Sequence, residues 1–213
     1  MQAGLEPDIP LMSPQRLPVL YLCWRKVMDL TFGLLGLVVL ILMLPILAVL
    51  IYVDSSGPIF YSQERVGYQG RKFRMHKFRS MRTDAERAGH PGWTIEQDPR
   101  VTRVGRFLRA LHLDELPQMF NILRGEMSLI GPRPEREEYA LELEKANPLY
   151  RNRLAVKPGL TGWAQVNYGY GSTSKDELEK LPYDLYYIGH QSFIFDIVIL
   201  FKTIVEVVSC HGQ

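Results

Sequence analysis

The feature that most constrains this chain is an uncharged run from Leu30 to Val53, LTFGLLGLVVLILMLPILAVLIYV, bracketed by Asp29 and Asp54. A run of 24 residues is long enough for a membrane segment. It is too long and begins too late for a secretory signal, and no small-residue cleavage site follows it. As a straight helix it reaches about 36 Å, against a hydrocarbon core of about 30 Å, so length favours a span. Two features favour a return to the same side. Pro45 frees a backbone carbonyl one turn earlier and bends a helix, and the pieces before and after it reach only about 22 Å and 12 Å. Both flanks are also basic: Arg25 and Lys26 precede the run, and Arg65, Arg71, Lys72, Arg74, Lys77, Arg79, Arg82 and Arg87 follow it. Lys and Arg mark the cytoplasmic side, so a re-entrant helix satisfies both flanks, whereas a spanning one puts one of them outside. The residues by themselves leave both topologies open.

The remainder has the composition of a globular domain, with 46% hydrophobic and 23% charged residues. The net charge of +2 is uninformative, and no nucleic-acid partner is expected. Two cysteines, Cys23 and Cys210, have no metal-like spacing and fit a reducing compartment. The chain divides into a loose tail (1–20), the apolar helix (21–54) and a catalytic domain (55–213). The expected class is α+β, mainly α, with a small β-hairpin and surface amphipathic helices. Strand-like Ile59–Arg65 and Lys72–Arg79 flank the turn sequence GYQG. Residues 81–99 read as a polar excursion, Val101–Leu113 as a helix, and Asp114 as the N-cap of another with Pro117 in its first turn. Glu135–Ala146 is a charged helix, Lys157–Gly171 a glycine-rich loop, and Asp176–Gln191 a helix broken by Pro182. Phe193–Val208 carries three charges, so it is either a buried core helix or one lying in the membrane surface.

The chemistry concentrates in RALHLDELPQMFNILRGEMSLIGPRPER, where Asp114 and Glu115 adjoin in an apolar stretch between basic segments. The ordinary reading is a helix cap with an acid in the first turn. The chemical reading is a nucleophile: a carboxylate ionised at neutral pH attacks phosphorus if cations offset the phosphate charge. A glycosidase pair is less apt, because adjacent helical residues diverge by about 100° and such pairs come from separate segments. Arg79, Arg109 and Arg133 are surface charges or phosphate ligands; Arg133 is stiffened between Pro132 and Pro134, which suits a guanidinium fork. Lys77 suits a substrate phosphate or an anionic lipid head group. KPGLTGWAQVNYGYG is not a known nucleotide fingerprint; Trp163 is either structural or a stacking platform.

Together, KFRSM, LHLDELPQMFNILRGEMSLIGPRP, KPGLTGWAQVN and YDLYY, in this order after a Pro-interrupted apolar segment, resemble the monotopic phosphoglycosyl transferases, the bacterial sugar transferase family. The resemblance covers roughly residues 21–208. It implies a re-entrant helix bent at Pro45 and a ping-pong reaction at the cytoplasmic face of the bacterial inner membrane. In that reaction Asp114 attacks the β-phosphate of a UDP-sugar, UMP leaves, and the phospho-sugar passes to undecaprenyl phosphate, beginning exopolysaccharide assembly. The resemblance further implies Mg²⁺ at Glu115 with Asp114, phosphate or active-site roles for Lys77, Arg79, Arg109 and Arg133, and a nucleotide-side role for Gln165. Tyr168 and Gly169 stand where many members have Gly-Arg, so sugar selectivity does not transfer; Leu44 precedes Pro45 where some have a small polar residue. The motifs match the catalytic part of the longer exopolysaccharide-priming members, and the chain reads as the minimal form. The competing readings are a non-catalytic membrane-surface module and a UDP-sugar hydrolase.

Overall fold

The computed structural model describes residues 17–85, 98–168 and 173–208. The expectations for the first 16 residues, for 86–97 of the polar excursion, for 169–172 at the end of the glycine-rich loop and for Cys210 lie outside these.

The apolar run lies within one helix, α1 (Val19–Asp54), whose helical assignment continues through Pro45. Its buried residues, Tyr21, Met28, Gly33, Leu40, Leu47 and Ile51, recur at intervals of four to seven and so form one stripe along the helix. The other faces present large apolar side chains outward, among them Leu42 (71% exposed) and Val53 (78%). Two charges near its start, Arg25 and Asp29, are engaged. Arg25 Nη2 donates to Ser128 Oγ (2.8 Å) and the Ile130 carbonyl (2.6 Å). The Asp29 carboxylate accepts from Ser128 Oγ (2.9 Å) and the Leu129 amide (2.7 Å). At the far end the Asp54 carboxylate accepts from the Val104 amide at 2.8 Å. Both ends of α1 are therefore fastened to the same body.

The expected hairpin forms from β1 (Phe60–Val66) and β2 (Lys72–Phe78), antiparallel, with Phe60 opposite Phe78 and Val66 opposite Lys72. Gln69, in the left-handed region at φ 54°, closes the turn. The two-residue period of β2 sets Lys77 on the same face as buried Phe73 and Met75. Helix α2 (Arg103–Ala110) is shorter than its apolar spacing suggests; Thr102 Oγ1 caps it by accepting from the Gly105 amide at 2.9 Å. A 3-10 stretch, Leu113–Gln118, leads into α3 (Met119–Leu123). A second sheet was not foreseen: β3 (Ser128–Ile130) pairs in parallel with β4 (Gly159–Thr161), which lies within the glycine-rich loop. Helix α4 (Glu137–Ala146) precedes β4 and α5 (Gln165–Tyr168) follows it. Helix α6 (Ser174–Gly189) is not broken by Pro182, which sits inside it.

Helix α7 (Phe193–Val208) packs one side of its surface into the core, as the first of the two alternatives expects. Asp196 and Ile199 are fully buried, while Ile194, Ile197, Phe201 and Ile204 face outward. Its outer face is apolar rather than polar. The main core gathers Met28 of α1, Phe73 and Met75 of β2, Met119 and Ile122 of α3, Ile130 of β3 and Ile199 of α7.

Gly105 holds α2 against the end of the hairpin, where an added Cβ would stand 2.0 Å from the Ser80 carbonyl oxygen. Gly105→Ala is expected to lower unfolding stability by about 1–3 kcal/mol despite the better helix propensity of alanine. A thermal or denaturant midpoint equal to the parent's would contradict that close approach.

Candidate active site

Asp114 does not cap a helix. His112 adopts φ 54°, the left-handed region, and reverses the chain just after α2. Asp114 and Glu115 then lie inside the 3-10 stretch, where backbone hydrogen bonds fix them. Both are buried, at 6% and 7% exposure.

Their surroundings differ. Glu115 Oε1 accepts from Lys77 Nζ at 2.7 Å and from Arg133 Nη2 at 2.6 Å, so two cations from β2 and the loop after β3 converge on one carboxylate oxygen. Burial pushes the Glu115 carboxyl upward, but Arg133 and Lys77 outweigh it and hold the group well below its ordinary 4.5. Lys77 is pulled below its usual range by burial, against the attraction of Glu115. Asp114 makes no side-chain hydrogen bond to any described residue. Burial raises its carboxyl above the ordinary 3.8, opposed by Lys77 and reinforced by Glu115. A firmly ionised carboxylate thus sits beside an unpaired one of raised affinity for protons. Such a split between neighbouring acids is characteristic of sites where the two do different work.

Of the residues named from the sequence, Lys77, Asp114, Glu115 and Arg133 come together. Arg109 is close enough to lower the Asp114 carboxyl, and its Nε donates to Ser80 Oγ at 2.9 Å. Arg79 lies elsewhere. Its guanidinium donates to the carbonyls of Ile51, Ser55 and Ser56 (3.4 Å to Ile51, 3.0 Å to Ser56), which satisfies the orphan acceptors at the C-terminus of α1. The Gln165 amide nitrogen donates to the Leu160 carbonyl at 3.0 Å, and its oxygen is buried without a partner. Trp163 packs edge-on against Phe195 with Lys202 over its ring, joining the loop to α7. Pro45 is exposed in the C-terminal third of α1, next to Leu44 and Leu47, which pack in one apolar cluster with Leu113 and Leu116.

Three contributors were not read from the sequence. Ser80 holds Arg109. Asn121 of α3 ties the cluster's strand in place: its Oδ1 accepts from the His76 amide, and its Nδ2 donates to the Arg74 carbonyl. Buried Arg153 donates to the Arg133 carbonyl. Only contacts between distant segments reveal these roles, and no local pattern marks them.

Among the described residues no group of three or more His, Cys, Asp or Glu side chains is arranged to hold a metal alone. Asp114 and one Glu115 oxygen remain as carboxylate donors. That set fits a Mg²⁺ ion, which commonly takes one or two carboxylates and completes its shell with substrate phosphates and water.

Comparison with known proteins agrees with the motifs. A family profile described as bacterial sugar transferase matches residues 20–210. A UDP-N-acetylgalactosamine–undecaprenyl-phosphate N-acetylgalactosaminephosphotransferase of Aeromonas hydrophila is 46% identical over 78% of this chain and 39% of its own length. An undecaprenyl-phosphate glucose phosphotransferase of Komagataeibacter xylinus is 44% identical over 84% of this chain and 35% of its own length. An exopolysaccharide production protein of Rhizobium leguminosarum bv. phaseoli is 38% identical over 85% of this chain and 94% of its own. The chain thus spans little more than a third of the first two relatives and nearly all of the third.

The two acids are expected to respond oppositely to neutralisation at neutral pH. Glu115's depressed value stabilises the fold above its unfolded value near 4.5, and that stability is lost as pH falls. Asp114's raised value works in reverse: its charged form costs stability as pH rises through its folded value. Glu115→Gln is expected to cost about 3–5 kcal/mol by leaving buried cations uncompensated. Asp114→Asn is expected to raise the melting midpoint by about 2–4 °C for each kcal/mol gained. Midpoints that move in the same direction would contradict the division of roles.

Proposed function

The chain belongs to the bacterial sugar transferase family, and from that premise we propose that it moves a sugar-1-phosphate from a UDP-sugar to undecaprenyl phosphate and releases UMP. The observation that carries this reading is the buried Asp114 carboxylate, without a side-chain hydrogen bond among the described residues, beside a Glu115 whose Oε1 is taken by Lys77 and Arg133. Asp114 Oδ attacks the β-phosphorus of the donor, a phosphorus–oxygen bond forms, and the bond to the bridging oxygen breaks so that UMP departs with that oxygen. A phosphate oxygen of the lipid then attacks the same phosphorus, the Asp114–phosphorus bond breaks, and the carboxylate is restored. Lys77 and Arg133 offset charge on the phosphoryl oxygens, with Glu115 holding both cations in place. Arg109, whose charge favours the ionised Asp114 carboxyl, serves the same face. Bound Mg²⁺ would supply further neutralisation of the diphosphate, held by Asp114 and Glu115.

The lipid acceptor requires a seat at the membrane, and α1 is long and apolar enough for one. We read α1 as re-entrant, with both ends on the cytoplasmic face of the inner membrane. Three observations support this. Its buried stripe follows the catalytic domain from Tyr21 to Ile51, its start and its end are both bonded to that domain, and both flanks are basic. Pro45 lacks the backbone donor and is the position at which α1 yields most readily to bending. The relatives' names support exopolysaccharide or related glycan assembly as the setting.

Purified protein with Mg²⁺ and undecaprenyl phosphate is expected to release UMP from one member of a UDP-sugar panel, and Asp114→Asn to lower that rate at least 10³-fold, on the order of the loss of a covalent nucleophile. The rate should rise with pH through the folded Asp114 value, so its acid limb should lie above 3.8. UMP release over many turnovers without the lipid, beyond the one equivalent that the first half-reaction yields, would indicate a hydrolase. No release from any donor by folded protein would favour the membrane-surface module.

A further inference from the structure

Arg133 reaches Glu115 from a loop whose main chain is unusually well restrained. The Gly131 amide donates to the Thr161 carbonyl at 2.9 Å. Four successive carbonyls then accept from four different places: Pro132 from the Gly159 amide (2.9 Å), Arg133 from Arg153 Nη2 (2.9 Å), Pro134 from Arg65 Nη1 (3.3 Å) and Glu135 from the Val66 amide (2.9 Å). Two of these donors are backbone amides of strands. The other two are arginine side chains, Arg153 buried and Arg65 partly buried, an expensive way to satisfy a carbonyl, because a buried guanidinium must itself be neutralised.

Arg153 is neutralised thoroughly. Its Nε donates to Asp184 Oδ2 of α6 at 2.7 Å, its Nη1 to the Tyr150 hydroxyl, and its carbon centre lies 4.6 Å from the Tyr150 ring centroid. Arg153 and Asp184 are 7% and 2% exposed. Buried ion pairs are often replaceable by apolar residues without loss of stability, so stability alone does not account for one here. What an apolar pair would not supply is the donor to the Arg133 carbonyl.

We infer that Arg153, held by Asp184 and Tyr150, is a positioning residue that fixes the main chain of Arg133 so that its guanidinium meets Glu115. The inference rests on the proposed reaction for its kinetic consequence, but the geometric consequence stands independently. Arg153 touches no reacting atom; it acts through Arg133. With prolines on either side of Arg133, the residue has few backbone states, and the Arg153 bond selects one of them. Small displacements of a charge-stabilising group near a phosphoryl centre cost rate steeply, about 10²-fold for an ångström.

The test pairs Arg153→Met with Asp184→Leu, which removes both charges together so that neither is left buried alone, and checks folding by thermal melting. Two measurements follow. Amide hydrogen exchange at Gly131, Gly159 and Val66, whose hydrogen bonds tie this loop to β4 and β1, should quicken at least tenfold in the double variant while exchange in β2 and the rest of β1 is unchanged. The maximal rate of lipid-dependent UMP release should fall by about 10–100-fold, with little change in KM. In an Arg133→Ala background the same pair should lower the rate less than about twofold, because the group it positions is already gone. Unchanged loop exchange would overturn the inference. So would a folded double variant with near-parental rate, or a loss of equal size in the Arg133→Ala background. If the parent protein releases no UMP, the reaction reading fails and the exchange measurement alone decides the positioning role.

Discussion

One carboxylate oxygen organises this molecule. Glu115 Oε1 gathers Lys77 from the hairpin and Arg133 from the loop after β3, two segments that share no sheet. Desolvating a lysine is costly, and Lys77 is tolerated inside only because Glu115 faces it. The same pairing leaves Asp114 without a side-chain hydrogen bond among the described residues, though Lys77, Arg109 and Arg133 attract its charge. The adjacency of the two acids therefore does not give them equal roles. One is consumed in holding cations, and the other is left available at the surface of that charge. The fold positions the pair by small local devices: the left-handed turn at His112, the capping of α2 by Thr102, and the close approach allowed by Gly105.

Outward from that point, the structure connects the site to the apolar helix. Asp29 and Arg25 of α1 bind the backbone and Ser128 of β3, and β3 leads directly into the Arg133 loop. At the other end, Arg79 follows Lys77 by two residues and closes the C-terminus of α1. The strand and the loop that supply Glu115's two cations are thus each tied to one end of the apolar helix α1. In the proposed reaction such an arrangement would set the height of Lys77 and Arg133 relative to α1.

What the sequence disclosed was local in origin. The alternation of β2 and the turn residues GYQG specified the hairpin, and the uncharged run specified α1. The carboxylate pair and the Pro-Arg-Pro loop marked the centre of the site. What stayed hidden depends on contacts between distant segments. Arg79 reads as a phosphate ligand by motif, yet nothing local reveals that it faces the end of a helix 24 positions earlier. Three-residue strands such as β3 and β4 carry too little pattern to be seen until they pair. Asp114 resembles a cap because Asp favours that position; His112 takes the left-handed turn first and moves the acid into the 3-10 stretch. Pro182 fails to break α6, whose buried face continues past it to Tyr187 and Ile188.

The central claim is that Asp114 forms the covalent bond to the transferred phosphoryl group. Intact-protein and peptide mass spectrometry of the purified protein, mixed with its UDP-sugar in the absence of lipid acceptor and quenched within seconds, tests it most directly. The account predicts a mass increase of one sugar phosphate, located on the peptide bearing Asp114 and discharged when undecaprenyl phosphate is added. An unmodified Asp114 peptide from protein that is shown to turn over with lipid present would contradict it, since transfer would then proceed without an enzyme-bound intermediate at that residue.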